Sequence, residues 1–329
     1  MVTIRDVAKQ AGVSVATVSR VLNSTGYVSE DTRRKVIETI QLLKYSPNEV
    51  ARSLYTRESR LIGLLLPDIT NPFFPQLARG IEDEVHSQGF RLLFGNSDED
   101  IKKEADYLHT FTQNHVVGMI TATAISMKET YEQLPYPVVF LDRIAEQYPS
   151  VYADGREGGR MAAIEMIKRG SKQVTLLKGP LSVRPAQERF QGALDVLSES
   201  EVDFHVMNTT SFSFEDAKKW AKELFEKYPN TDGVIASNDI VATAILHEAL
   251  KLGKSIPSDV QIIGFDDIPQ SSLLFPALST IRQPAYDMGR EAAKLLLKYI
   301  KKEHIEERHI QLPVTFIERN TTRKVDSNG

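Results

Sequence analysis

The sequence predicts a small all-α module of three helices followed by an α/β body of two doubly wound parallel-sheet lobes. Three observations predict it. Capped, apolar-periodic segments fill the first stretch, from Thr3 to Lys44. From Leu61 onward short apolar runs alternate with helical stretches, the pattern of parallel strands covered on both faces. That alternation runs through two successive series, and 329 residues exceed one ordinary domain.

The first helix opens at Thr3, which with Asp6 forms a capping-box-like pair ahead of Ile4, Val7, Ala8 and Ala11. Gly12 stops it, because glycine tolerates the left-handed conformation of a helix stop. Ser14 caps a second helix over Val15 to Leu22. A third is expected from Asp31 to Lys44, capped by Ser29, with Val36, Ile37, Ile40 and Leu43 turned inward. A helix, a tight glycine turn and a second helix make a helix-turn-helix. Small side chains at the start of the second helix (Val15, Ala16, Thr17) suit base edges and thymine methyls, and Arg20 can reach a guanine or a phosphate. Charge agrees with a nucleic-acid partner. Residues 1–60 hold ten Lys and Arg against six Asp and Glu, while the rest holds thirty against thirty-eight. The segment from Ser46 to Leu54 has Pro47 suited to a first helical turn, yet it is too short to be a stable helix alone in water. Leu54 on such a helix could wedge into a minor-groove step.

In the body, LIGLLLP, FRLLFGNS, VVGMITATA, PVVFLDR, QVTLLKG, GVIASND and VQIIGFDD read as strands. FFPQLARGIEDEVHSQG, EADYLHTFTQN, GRMAAIEMIKRG, RFQGALDVLSES, FEDAKKWAKELFEKYP and ATAILHEALKLG read as helices. Ligands of such sheets sit at the carboxyl ends of the strands. The polar residues that follow the apolar runs form a chemical set: Asn71 with Phe73 and Phe74, Asp142 with Arg143, Arg189, Phe212, Asn238, Asp266 and Gln283. Planar two-pronged groups bind neighbouring hydroxyls of a sugar, and flat aromatic rings cover its C–H faces. Any one of these residues alone reads as a loop cap or a surface charge. The set at strand ends does not.

Enzyme chemistry finds no support. Without cysteine there is no thiol nucleophile, disulfide or thiolate zinc site. Lys254-Ser255 lacks the first glycine of a phosphate loop, Gly155, Gly158 and Gly159 lack dinucleotide spacing and follow no clean strand, and neither HExxH nor GxSxG occurs. Asp142 and Asp266 could be imagined as an acid–base pair but suit shared hydroxyls better. No catalytic residue, metal or cofactor is expected. The start lacks an apolar core of a signal peptide, no run could span a membrane, and a cytoplasmic, nucleoid-associated protein is expected.

VTIRDVAKQAGVSVATVSRVLN, VSEDTRRKV and YSPNEVARSL resemble the lactose-repressor/galactose-repressor family of transcriptional regulators, nearly continuously over residues 2–56. The resemblance implies a DNA-contacting set of Thr3, Ser14, Val15, Ala16, Thr17, Ser19, Arg20, Asn23, Tyr45, Asn48, Ala51, Arg52 and Leu54. It implies a DNA-binding domain at 1–46, a hinge helix and linker at 47–59, and a sensor at 60–329. Lobe 1 would take about 60–154 and 286–315, lobe 2 about 155–285 and 316–326. The sensor resembles the periplasmic sugar-binding proteins, and the ten polar and aromatic positions above fall on the contact set of the ribose receptor among them. Phe73, Phe74 and Phe212 would sandwich a ring. The resemblance implies a repressor of a ribose-utilisation operon that binds palindromic operator DNA as a homodimer and is released by D-ribose. The leucine-rich tetramerising tail of the lactose repressor has no counterpart after Arg323. Two other readings stay open within the family: a catabolite-control regulator with a phosphorylated phosphocarrier protein as corepressor, and a purine-type repressor.

Overall fold

The computed structural model describes residues 2–23, 25–45, 59–123, 128–144 and 146–325. The chain divides into two units between Ser59 and Arg60. The amino-terminal unit holds α1 (Ile4–Ala11), α2 (Val15–Asn23) and α3 (Glu30–Leu42). Its helix starts follow from local chemistry. The Thr3 backbone amide donates to Asp6 Oδ2 at 2.8 Å, and Asp6 returns its own amide to Thr3 Oγ1 at 3.4 Å. Gly12 takes φ +66°, where a Cβ would be strained. Thr17 donates its amide to Ser14 Oγ at 3.1 Å, and Thr32 to Ser29 Oγ at 3.4 Å. Val7, Ala8, Ala11, Val18, Val21 and Val36 form the core. Ile37, expected inside, is 43% exposed. The core-facing stripe runs through buried Val36 and Thr39 with partly buried Ile40 and Leu43, and residue 37 lies about 100° around the helix from Val36. The predicted hinge segment, with Asn48, Ala51, Arg52 and Leu54, lies outside the described residues apart from Ser59.

The second unit begins with β1 (Leu61–Leu66), α4 (Phe73–Ser87), β2 (Arg91–Asn96), α5 (Ile101–Gln113), β3 (Met119–Thr121), α6 (Lys128–Glu132), β4 (Val138–Leu141) and β5 (Ser150–Ala153). It continues with α7 (Gly155–Lys168), β6 (Gln173–Lys178), α8 (Arg184–Ser198), β7 (Asp203–Asn208), α9 (Phe214–Lys227), β8 (Gly233–Ile235) and α10 (Asp239–Lys251). Then come β9 (Gln261–Asp266), a 3-10 turn (Pro269–Ser272), β10 (Ser279–Arg282), α11 (Ala285–Lys301), β11 (His309–Leu312) and β12 (Thr315–Ile317).

Among the described residues these strands make two six-stranded sheets of matching order, β11-β5-β4-β3-β1-β2 and β12-β10-β9-β8-β6-β7. All pairings are parallel except β10 with β12. Central strands are buried along their length, as β1 and β9 show, because helices cover both faces. The edge strands β2 and β7 are partly exposed. β5 and β7 are among the strands that the seven apolar runs do not supply. β5 is only four residues, SVYA, and β7 mixes charge with apolar residues along an edge. β5 also corrects the view that Gly155 follows no clean strand: Asp154 caps α7 directly after it, accepting the Glu157 amide at 3.0 Å.

The lobes exchange helices. The strand β5 belongs to the first sheet, yet the helix after it, α7, packs on α8 of the second lobe. The strand β10 belongs to the second sheet, yet α11 returns to pack on α4 of the first. Both crossings are made backbone to backbone through glycine. A Cβ on Gly159 of α7 would fall on the carbonyl of Arg189, and one on Gly192 of α8 on that of Arg156. Gly80 and Gly289 stand in the same relation to Tyr286 and Leu77. The main chain cannot yield as a side chain can, so Gly159→Ala should cost about 3 kcal/mol or more. At Gly155, on the same helix, a Cβ would meet only ordinary contacts of 3.6 Å, so Gly155→Ala should stay within about 1 kcal/mol of the parent. Denaturant melts of the two variants check this, and equal effects would contradict it.

Candidate binding cleft and candidate nucleic-acid interface

The carboxyl ends of both sheets face a cleft of about 520 Å³. From the first lobe Asn71 precedes α4, Phe73 and Phe74 open it, and Asp142 and Arg143 follow β4. From the second, Arg189 projects from α8, Phe212 precedes α9, Asn238 caps α10, and Asp266 ends β9. Nine of the ten expected positions line this one space. The tenth, Gln283, follows β10 and stands behind Asp266, donating Nε2 to its Oδ1 at 2.7 Å.

The two carboxylates occupy equivalent places, since β4 and β9 hold the same position in their sheets. Both take positive φ, +63° at Asp142 and +112° at Asp266, which non-glycine residues adopt at a cost of roughly 1–3 kcal/mol each. Each arginine is fixed. Arg143 donates Nε to the Ala122 carbonyl and Nη2 to Glu99 Oε1, both at 3.1 Å, while its buried Nη1 has no partner among the described residues. Arg189 donates Nη1 to the Ser237 carbonyl at 2.8 Å, sits 3.5 Å from Asp266 Oδ1, and stacks over Phe265 at 4.0 Å. Asn71 and Asn238 use their amide oxygens on backbone, accepting from the Phe73 and Val241 amides at 3.1 and 2.9 Å. Among the described residues their amide nitrogens have no hydrogen-bond partner and can donate to a ligand. Phe73 and Phe74 meet edge to face, 5.4 Å between centroids.

Burial dominates the titration of the acids. It pushes Asp142 up to about 6, against the pull of Arg143 and Arg189. It pushes Asp266 up to about 8, with Arg189 opposing and Asp239 adding to the rise. The arrangement offers paired acceptors, planar donors and aromatic faces from two lobes to a small polyhydroxylated ring.

The sequence reading missed part of the lining. Asp98 and Glu99, both at positive φ, line the cleft from the loop after β2, as do Ser182, Thr210 and Ser211 from the second lobe. The strand-end rule applied to FRLLFGNS would have found the acidic pair.

In the amino-terminal unit, Val15, Ala16 and Arg20 are exposed on α2, and Thr17 and Ser19 are half-buried. Thr3 and Ser14 spend their hydroxyls on helix starts, Thr3 on Asp6 and Ser14 on Thr17 Oγ1 at 2.9 Å. Tyr45 packs against the three-helix core, and Asn23 ends α2. Exposed Val15 and Ala16 with Arg20 one turn on give a short helix a surface that a groove edge can accept.

Residues 3–48 match the family model of bacterial regulatory proteins of the lacI family. Residues 59–320 match that of periplasmic binding proteins and the sugar-binding domain of the LacI family. The ribose operon repressor of Bacillus subtilis (strain 168) is 64% identical over 326 residues, spanning 99% of this chain and 100% of that one. The structure of the lac repressor dimer bound to operator and the anti-inducer ONPF superposes with a TM-score of 0.89 at 25% identity, covering 98% of this chain and 99% of that one. A LacI family transcriptional regulator from Enterococcus faecium, solved with bound ribose, gives 0.70 at 34% identity over 80% of this chain and 98% of that one.

The raised acid in the cleft carries a stability signature. Below about 8 the folded chain holds the Asp266 proton, while an unfolded chain releases it near the ordinary value of 3.8. Folding therefore takes up a proton in that window, and the contribution of this group to stability falls as pH rises from about 4 to about 8. The melting temperature of the sugar-free protein minus that of Asp266→Asn should decline across pH 5–8. A flat difference would contradict the protonation assigned to Asp266.

Proposed function

Because the chain belongs to the LacI family of bacterial regulators, we propose that it is a DNA-binding repressor of a ribose-utilisation operon, released from its operator when D-ribose fills the cleft. The observation that carries the reading is the cleft itself. It sets Asp142, Arg143 and Asn71 of one lobe against Asp266, Arg189 and Asn238 of the other, with Phe73, Phe74 and Phe212 around the same space. The full-length similarity to a ribose operon repressor and the likeness to a ribose-bound regulator support a pentose as effector. A carboxylate accepts two adjacent hydroxyls, an arginine or amide donates to others, and a ring wedged on aromatic faces loses water on both sides. A site that bonds each hydroxyl rejects a sugar lacking one, because a buried partner is then left unpaired.

The response follows from where the chain crosses between lobes. It does so after β5, after β10 and between β11 and β12. β5 and β10 are the direct neighbours of β4 and β9, whose ends carry Asp142 and Asp266. A sugar held from both lobes draws them together by rotation at these crossings, a hinge closure. In a homodimer that motion changes whether the two copies of α2 can sit together on the half-sites of a palindromic operator. Release requires only that ribose bind the closed, DNA-incompetent form more tightly than the open one.

The reading is tested by thermal shift and calorimetry with D-ribose, D-xylose, D-glucose, adenine and hypoxanthine. D-Ribose at a hundred times its Kd should add about 2.7 kcal/mol of stability by mass action. Arg189→Ala, which removes a pinned donor from the cleft, should weaken ribose binding by roughly 1.5–3 kcal/mol. Stabilisation by a purine and not by any pentose would overturn the assignment.

A further inference from the structure

Asp239 is fully buried, yet it does not line the cleft. It is the first residue of α10, beside Asn238. Its Oδ2 accepts the Ile268 amide at 2.9 Å and Ser271 Oγ at 2.6 Å. Its Oδ1 accepts Thr280 Oγ1 at 2.5 Å. Room for the carboxylate comes from Gly264 on β9, where a Cβ would collide with Asp239 Oδ1.

These bonds converge on the cleft residues of the second lobe. Ile268 lies two residues after Asp266, in a turn whose Asp266 and Asp267 both hold positive φ. Thr280 pairs with Gly264 in register and lies three residues before Gln283, which bonds Asp266. Asn238 is joined to Asp239 by one peptide. On its outer side the same turn is held by Asp267, bridged to Arg282 Nε and Arg319 Nη2, both at 2.6 Å. One buried carboxylate therefore ties together the turn presenting Asp266, the strand leading to Gln283 and the helix start presenting Asn238.

We propose that Asp239 is a positioning residue for the effector cleft: it fixes Asn238, Asp266 and Gln283 without touching the effector. The proposal rests on the reading of the cleft as a ribose site. It has an electrostatic side as well as a geometric one. Asp266 faces Arg189 from α8, Asp142 from the first lobe, Gln283 from the segment after β10 and Asp239 from α10; Asp239 in turn faces Asp267. Burial pushes Asp239 itself up to about 6, and above that its negative charge helps hold Asp266 protonated up to about 8. Ribose hydroxyls donating to ionised Asp266 should then bind more tightly as pH rises, levelling off above that value. Removing the charge of Asp239 lowers the pH at which the curve levels.

Ribose titrations by calorimetry between pH 6 and 9 on the full chain and on Asp239→Asn test this. The variant should bind ribose about tenfold more weakly at pH 8, and its curve should level at a lower pH than the parent's. DNA binding of the sugar-free variant should remain within about twofold of the parent. Weaker binding with an unshifted curve would make Asp239 a folding determinant and overturn the proposal, as would an unchanged affinity. Should Asp239→Asn fail to fold, Thr280→Val removes one donor at constant shape. It should weaken ribose binding about threefold, and an unchanged affinity there overturns the proposal equally. If the parent chain binds no ribose at any pH, the cleft reading fails and the positioning role falls with it.

Discussion

The body of this protein depends on an exchange of helices between its lobes. Each sheet is covered in part by a helix that follows a strand of the other sheet, α7 after β5 and α11 after β10. Both exchanged helices are seated by glycine pairs that let main chain touch main chain, Gly159 with Gly192 and Gly80 with Gly289. Neither lobe can be completed by one continuous stretch of sequence. The two lobes are thus committed to each other through short crossings that begin beside the strands bearing Asp142 and Asp266. Whatever closes the cleft must rotate those crossings, and the same geometry that completes the fold makes it able to transmit.

The cleft combines this mechanical link with charge held under constraint. Two aspartates sit in left-handed backbone at equivalent strand ends, buried enough that both resist ionisation. Two arginines are pinned by main-chain carbonyls, so they offer donors at fixed positions and lose little freedom when a ligand arrives. Aromatic rings contributed by both lobes complete the enclosure. The arrangement is suited to a neutral ring rich in hydroxyls. For such a ring, groups that are costly to leave unpaired discriminate more sharply than a large apolar area does.

Much of this was legible in the residues. Helix starts at Thr3, Ser14 and Ser29 declare themselves because a hydroxyl ahead of an apolar stripe has one obvious use, to accept an orphan amide. Central strands such as LIGLLL and QIIGFD were legible because burial on both faces makes their composition uniform. Legibility failed where the signal is short or tertiary. SVYA has too few residues to show a period, and DFHVMN lies at an edge where burial is partial. Ile37 is apolar but lies off the stripe that a three-helix module can cover. In the cleft, Asn71, Asp142 and Asp266 could be picked out because strand ends are where such sheets bind. Glu99 was passed over inside an acidic run that reads as a loop. Asp239 was hidden by its neighbour: a helix start with Asn238 as its cap explains itself locally, and only the fold brings Ser271 and Thr280 to the next carboxylate.

The central claim is that one chain joins a groove-reading helix to a pentose-closing cleft. Fluorescence anisotropy tests it most directly, with the full chain and a labelled duplex that the sugar-free protein has selected from a random pool. Titrating D-ribose into the complex should release the duplex, and Arg189→Ala should keep DNA affinity while needing far more ribose for release. A complex that stays bound at saturating ribose, or a sugar-free chain that selects no duplex, would contradict it.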